Sequence, residues 1–261
     1  MEMARSESKQ LMVLKLGTST LTRGTDSISR GKIEDIARQI KSLDDRYEFI
    51  IVSSGAIAAA KQFVYLNGKQ PINDKQALAS IGQPHLMRIF YEIFNELGLP
   101  TAQCLLTYHD FDNEVSKKNI TNTIHRLLEN GYIPIINEND TVATEEINFG
   151  DNDKLAALTA QLLEVDLLVM ATNTYGLYDA DPNTTERITT IPVVSDLTTI
   201  SSSIGDTKSS QGSGGMKSKI EAAAIAQQAG IETWLIYGYE ENFLLNSLAG
   251  EAPFTKIIPT E

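Results

Sequence analysis

The sequence contains a single cysteine, Cys104, in 261 residues, so no disulfide can form within the chain. It also lacks any apolar run of the roughly 18 residues a membrane helix needs, and the apolar run nearest the N-terminus, Leu11–Leu16, is too short even for a signal-peptide core. Both absences point to a cytoplasmic protein. Histidine is scarce, and His85, His109 and His125 have no metal-ligand spacing, so with one cysteine a structural zinc site is not expected. No Ser-His-Asp arrangement stands out either. Positive charge is in short supply: 22 Lys and Arg against 34 Asp and Glu give a formal net charge of −12. That argues against non-specific binding to nucleic acid. It leaves room for an anionic substrate, because a few lysines aimed into one cleft dominate the local field.

What is present is an ordinary globular composition, 42% hydrophobic and 21% charged, with strand-like and helical patterns alternating almost end to end. Leu11–Leu16, Phe49–Ser53, Thr101–Leu106, Tyr132–Asn137, Leu167–Thr172 and Thr233–Tyr237 read as strands. Ile33, Ile36, Ala37, Ile40 and Leu43 recur at helical spacing, as do apolar residues in Gln76–Leu97, Lys117–Asn130, Lys154–Leu163 and Lys217–Ala229. Repeated β–α–β order predicts an α/β fold with a mainly parallel sheet covered by helices on both faces. Two segments break the pattern: Thr141–Phe149, a short hairpin or extended excursion, and Thr184–Gly215, whose Ser201–Gly215 portion reads as a mobile loop. With no linker and no repeat, one domain spanning residues 1–261 is expected.

Ligands of open α/β sheets gather at the carboxyl ends of the strands, and four such loops have unusual composition. Lys15-Leu16-Gly17-Thr18-Ser19 places a lysine inside an apolar strand, followed by residues that let backbone amides approach a phosphate. The plainer alternative is a surface lysine before a turn. Ser53-Ser54-Gly55-Ala56 joins a strand to an alanine-rich helix and suits a carboxylate or phosphate, or is a serine N-cap. Asn137-Glu138-Asn139-Asp140 and Phe149-Gly150-Asp151-Asn152-Asp153 crowd carboxamides and carboxylates together. Such groups fit the amino group of an amino acid or the positioning of lysines; Asp151 or Asn152 could instead cap the following helix. Gly212–Lys219 is a glycine-rich loop opening a helix, suited to phosphates, although it is neither GxxxxGK[ST] nor GxGxxG. Two lysines, each beside such a loop, suggest phosphoryl transfer.

The strings VLKLGTSTL (Val13–Leu21), IVSSGAIAAA (Ile51–Ala60), KQALASIGQ (Lys75–Gln83), IPIINENDTVAT (Ile133–Thr144), FGDNDKLAALTA (Phe149–Ala160), GLYDADP (Gly176–Pro182) and GSGGMKSKIEAA (Gly212–Ala223) cover nearly the whole chain. Together they resemble the amino-acid kinase family, in its glutamate-phosphorylating branch. The resemblance implies a three-layer αβα sandwich with ATP and glutamate across the carboxyl ends of the sheet. It implies ATP-dependent phosphorylation of the L-glutamate γ-carboxylate, the first step toward proline, with Mg²⁺ bridging the phosphates. Lys15 and Lys219 match the phosphate-contacting lysines and Asp153 the acidic residue that orients them. Ser54, Asp140 and Asn152 match the glutamate-binding positions, with Asn137 beside them. Thr172, Asn173 and the run Ser213, Gly214, Gly215, Met216, Lys217, Ser218 and Lys219 fall where the nucleotide binds. No metal-ligating residue is assigned.

The chain departs from the family in having Asn173 where many members have Asp, and its 261 residues are expected to form the kinase domain alone, without the C-terminal PUA domain many members carry. The resemblance further implies a homo-oligomer, feedback by proline, and no nucleic-acid or membrane partner. Competing readings are a sibling kinase, which should lack the INEND and KQALASIGQ strings, and a catalytically dead nucleotide or amino-acid sensor. A dinucleotide-dependent dehydrogenase is disfavoured because the first strand ends in KLGTST.

Overall fold

The computed structural model describes residues 9–64, 71–143, 152–180, 188–197 and 215–260. Among these, eight strands form one sheet: β1 (Gln10–Leu16), β2 (Tyr47–Ser53), β3 (Thr101–Leu106), β4 (Ile133–Glu138), β5 (Leu167–Thr172), β6 (Val193–Val194), β7 (Glu232–Tyr237) and β8 (Thr255–Ile257). Their order is β3-β4-β2-β1-β5-β7-β8-β6. The first six in that order run parallel; β8 is antiparallel to β7, and β6 is parallel to β8. The chain builds outward from β1 through β2, then crosses to the other side of β1 with β5. The crevice between β1 and β5 is therefore the topological switch point, where ligands of such sheets bind.

Among the described residues the α-helices are α1 (Thr18–Thr22), α2 (Arg30–Leu43), α3 (Ala56–Ala60), α4 (Ile72–Glu96), α5 (Glu114–Glu129), α6 (Asp153–Leu162), α7 (Met216–Gln228) and α8 (Phe243–Ala249), with a 3₁₀ turn at Tyr108–Phe111. Side-chain alternation sorts them into two layers. Met12, Leu14 and Leu16 of β1 join a core with Ile33, Ile36 and Ile40 of α2, Phe90 and Phe94 of α4, and Phe243 of α8. Val13, with Ile50 and Val52 of β2, joins a second core with Ile124 of α5, Leu155 and Ala156 of α6, and Ala222 and Ala226 of α7. The molecule is a three-layer αβα sandwich. Strands β1, β4 and β5 are buried along nearly their whole length, as a sheet covered on both faces requires.

The long strands and helices fall where sequence periodicity predicts them, within a few residues at each end. The elements not anticipated, α1, α8, β6 and β8, are too short to show a period. α4 begins four residues before the Gln76–Leu97 pattern and continues through Pro84, which supplies no N–H to the helix ladder. The alanine-rich helix after Ser54 is only the five residues of α3. Of the expected Thr141–Phe149 excursion, Thr141–Ala143 form a turn and the rest lies outside the described residues, as does Ser201–Gly215 except for Gly215.

Two glycines make the approach to the site possible. Gly55, at φ +100°, turns the chain between β2 and α3 in a conformation few other residues adopt. Gly82 lets α4 lie directly on α3: a Cβ there would sit 1.8 Å from the Ala56 carbonyl oxygen and 2.7 Å from the Ala60 nitrogen, both backbone atoms that cannot swing aside. A buried polar cluster ties α2 to the segment after β7. Lys32 Nζ pairs with Asp35 Oδ2 (2.9 Å), donates to the Glu240 carbonyl (2.5 Å) and lies over the Phe243 ring. Burial lowers the Lys32 ammonium from its usual value, with Asp35 opposing. Asp35 Oδ1 and Gln39 Oε1 accept from the Asn242 and Leu244 amides, so residues of α2 cap the start of α8.

Gly82→Ala is expected to cost about 1–3 kcal/mol or more by overpacking against backbone. Gly31→Ala in α2, where a Cβ meets nothing within 4 Å, should gain up to about 1 kcal/mol. Urea unfolding of the two variants measures both, and equal effects would contradict the close contact of α3 and α4.

Candidate active site

The strand ends are in step. Leu16 pairs with Ser53 on one side and Ala171 on the other, Thr172 pairs with Tyr237, and the β2–β4 register ends at Val52–Ile136, which puts Ser53 beside Asn137. Residues far apart in the sequence thus line one edge of the sheet. Lys15, one residue before the end of β1, shares the face of Val13 and is only 2% exposed. A buried ammonium needs a counter-charge, and α6 supplies it. Asp153 is fully buried at the first position of that helix, where the helix dipole favours a carboxylate. Its Oδ1 lies 2.5 Å from Lys15 Nζ and its Oδ2 2.9 Å from Lys219 Nζ on α7. Ser218 Oγ donates to the same Oδ2 at 3.0 Å.

One carboxylate therefore holds two lysines contributed by β1 and α7, and the three charges leave one positive charge in excess. Around them lie the starts of α6 and α7, whose first amides have no partners within their own helices. Neither helix has a side-chain cap: Asn152 and Gly215 occupy the N-cap positions, and neither side chain bonds the helix. Asn152 faces elsewhere. Its Nδ2 donates to the Ser53 carbonyl (2.5 Å) and to Asn137 Oδ1 (2.6 Å). Asn137 Oδ1 also accepts from the Glu138 amide (2.9 Å), and Asn137 Nδ2 donates to Gln83 Oε1 of α4 (2.7 Å). Ser54 does not cap α3, where Gly55 is the N-cap; its buried Oγ has no hydrogen-bond partner among the described residues. Asp140 lies just beyond β4, and burial pushes its carboxyl up to about 6.

The expected residues divide clearly. Lys15, Asp153, Lys219 and Ser218 meet directly, and Asn137 and Asn152 meet each other beside Ser53 and Ser54. Thr172 is buried at the end of β5, where its hydroxyl accepts from the Thr174 amide (3.1 Å), while Asn173 is exposed. Lys217, two residues from Lys219 in α7, points to solvent and stays apart from the Asp153 cluster. Met216 packs partly against the second core, and Gly215 accepts from Ser218 Oγ through its carbonyl (2.9 Å). Ser213, Gly214 and Asp151 lie outside the described residues. The sequence pattern assigns Gln83 no role. Its signal was a glutamine on the buried face of α4, between Ala79 and Leu86.

A sequence profile described as the amino acid kinase family matches residues 10–237 of this chain. The chain belongs to the amino acid kinase family. Within it, the chain is 40% identical over 254 residues to the glutamate 5-kinase of Herpetosiphon aurantiacus, covering 95% of this chain and 68% of that protein. It is 42% identical over 251 residues to the glutamate 5-kinase of Caldanaerobacter subterraneus (95% and 68%), and 41% over 250 residues to that of Deinococcus radiodurans (95% and 69%). The chain thus spans about two thirds of the length of these relatives. Among solved structures, it resembles a UMP kinase from Ureaplasma parvum with a TM-score of 0.64 at 19% identity, covering 96% of this chain and 99% of that one. An isopentenyl phosphate kinase gives 0.63 at 18% identity, covering 95% and 100%. These two likenesses concern the fold.

Asp153→Asn leaves two buried ammonium groups without their carboxylate and is expected to destabilise the protein by about 3–5 kcal/mol at neutral pH. Chemical denaturation measures this, and an unchanged unfolding free energy would contradict an ionised Lys-Asp-Lys cluster.

Proposed function

We propose that the chain transfers the γ-phosphoryl group of ATP to the γ-carboxylate of L-glutamate, giving L-glutamyl 5-phosphate and ADP, the first step toward proline. The observation that carries this reading is the Lys15–Asp153–Lys219 cluster at the carboxyl edge of the sheet, in a chain about 40% identical to glutamate 5-kinases. The attacking carboxylate is already ionised at neutral pH, so no general base is needed. Catalysis then rests on alignment and on fixed positive charge where the transferring phosphoryl group spreads its own. Asp153 holds both ammonium groups in place before substrate arrives. Ser54, Asn137, Asn152 and Asp140 form the amino-acid side of the site; Thr172, Asn173 and Ser213–Lys219 form the nucleotide side.

Among the described residues no group of three His, Cys, Asp or Glu side chains is placed to hold a metal, and Asp153 is committed to two lysines. Mg²⁺ enters this reading as part of the substrate Mg·ATP, on phosphate and water ligands. Among the described residues no helix is long and apolar enough to cross a membrane. A homo-oligomeric, cytoplasmic enzyme inhibited by proline completes the reading, on family resemblance.

The deciding experiment measures ADP release from Mg·ATP with glutamate, acetylglutamate, aspartate or no acceptor, trapping acyl phosphate with hydroxylamine. Hydroxamate is expected with glutamate alone; hydroxamate with another acceptor, or with none, overturns the reading. In the same assay Lys219→Ala should lower turnover roughly 10²–10³-fold, by analogy with the loss of one oxyanion donor. An unchanged turnover number would remove Lys219 from the chemistry.

The raised Asp140 carboxyl gives a pH signature. Its charged form, which would accept from the substrate ammonium, is lost as pH falls through about 6. KM for glutamate should therefore rise by about tenfold per pH unit below that value and stay level above it. Asp140→Asn should give a high KM with no such limb; an identical profile in that variant would count against the contact.

A further inference from the structure

The segment Lys75–Gln83 has no part in the phosphoryl-transfer chemistry, yet its polar residues grip the end of β4. Gln76, Ser80 and Gln83 are spaced four and three apart, one stripe of a helix. Gln76 Nε2 donates to the Ala143 carbonyl (3.1 Å), Ser80 Oγ lies 3.2 Å from Thr141 Oγ1, and Gln83 Oε1 accepts from Asn137 Nδ2 (2.7 Å). α4 thus holds the segment that carries Asn137 and Asp140.

Two backbone groups of fixed polarity set the direction of every amide in this chain. The Ser53 carbonyl can only accept, so it faces Asn152 Nδ2. The Glu138 amide can only donate, so it faces Asn137 Oδ1. Asn137 Nδ2 must then meet Gln83 Oε1, and Gln83 Nε2 is left with no hydrogen-bond partner among the described residues, on a side chain more than nine-tenths buried. Ser54 Oγ is buried and without a partner on the neighbouring strand end. Burying two unsatisfied polar groups is costly in the absence of a ligand.

We propose that Gln83 is a specificity-determining residue, whose Nε2 donates, together with Ser54 Oγ, to the α-carboxylate of the amino-acid substrate. This rests on the glutamate kinase reading and divides that substrate's polar groups among the site's donors and acceptors. Asn152 has spent both amide protons on protein acceptors, so only its Oδ1 is left for a ligand. Like the Asp140 carboxylate, it suits the α-ammonium. Gln83 stands two amides away from Asn152, which itself adjoins Asp153. It therefore serves the end of the substrate remote from the lysines, and the γ-carboxylate lies toward Lys15 and Lys219.

Gln83→Glu tests this with little change of shape, because the new side chain keeps an oxygen to accept from Asn137 and replaces only the unpartnered donor. KM for glutamate is expected to rise about 100-fold, from a lost charge-assisted bond and a new like-charge contact. KM for ATP should stay near the wild-type value, while the unfolding midpoint falls because the new carboxylate is buried without a counter-charge. The wild-type preference for L-glutamate over L-isoglutamine, whose α-carboxamide donates where the carboxylate cannot, should narrow at least about tenfold. A folded Gln83→Glu variant with wild-type KM and wild-type discrimination would overturn the proposal. Should that variant fail to fold, Gln83→Met and Ser54→Ala carry the test, each with KM for glutamate expected about tenfold higher; wild-type KM in both would overturn it equally. Absence of glutamate turnover in the wild type would be a failure of the kinase reading itself, visible without any variant.

Discussion

The carboxylate of Asp153 is the constraint on which the rest of the site depends. It is fully buried, it receives Lys15 from the central strand and Lys219 from α7, and it sits at the positive end of α6. Each partner alone would be an expensive charge in a sandwich closed on both faces. Together they fix the position of β1 against two helices that begin about 140 and 200 residues later. The parallel order of the sheet puts all three elements within reach, because every βα connection on this side returns the chain to the same edge.

The amide chain from Asn152 through Asn137 to Gln83 does for the amino-acid side what Asp153 does for the lysines. Asn137 shares the strand face of Ile133 and Ile135, toward α4, whereas Lys15 and Thr172 share the opposite face, toward α6 and α7. Asn152 crosses over the strand ends and joins the two layers. The site is therefore astride the sheet, with cations on one face and neutral amides on the other. This polarity suits a substrate that presents one anionic group to be neutralised and other groups to be recognised.

Much of this was legible in the sequence for physical reasons. Continuous apolar strands and helical periodicity define a doubly covered parallel sheet, and strand-end loops with lysine, glycine and carboxamides define its active edge. What periodicity cannot reveal is direction. Lys217 and Lys219 look alike in the sequence, yet only Lys219 turns inward, because helical phase sends residues two apart to opposite sides. Asn152 reads as a helix cap, and only the position of the Ser53 carbonyl, 99 residues away, shows that its amide is spent elsewhere. Gln83 carries no sequence signal of this role, because its meaning lies in one donor left over after its neighbours are satisfied. α1, α8, β6 and β8 are held by tertiary contact rather than by pattern, so their segments carry too little local signal.

The polar cluster between α2 and α8 also bears on how the protein comes into being. Lys32, Asp35 and Gln39 are made early, but the backbone groups that satisfy them belong to Glu240, Asn242 and Leu244. During synthesis the ribosome releases α2 some two hundred residues before its partners exist, and β1 likewise waits for β5 to complete its second edge. The amino-terminal half must therefore pass through translation with buried-to-be charges still hydrated, and this part of the core closes only after α8 is made. A fold organised around its first strand in this way gains its final order only when the last hydrogen-bonding partners emerge, which places it among topologies dominated by long-range contacts and correspondingly slow to assemble.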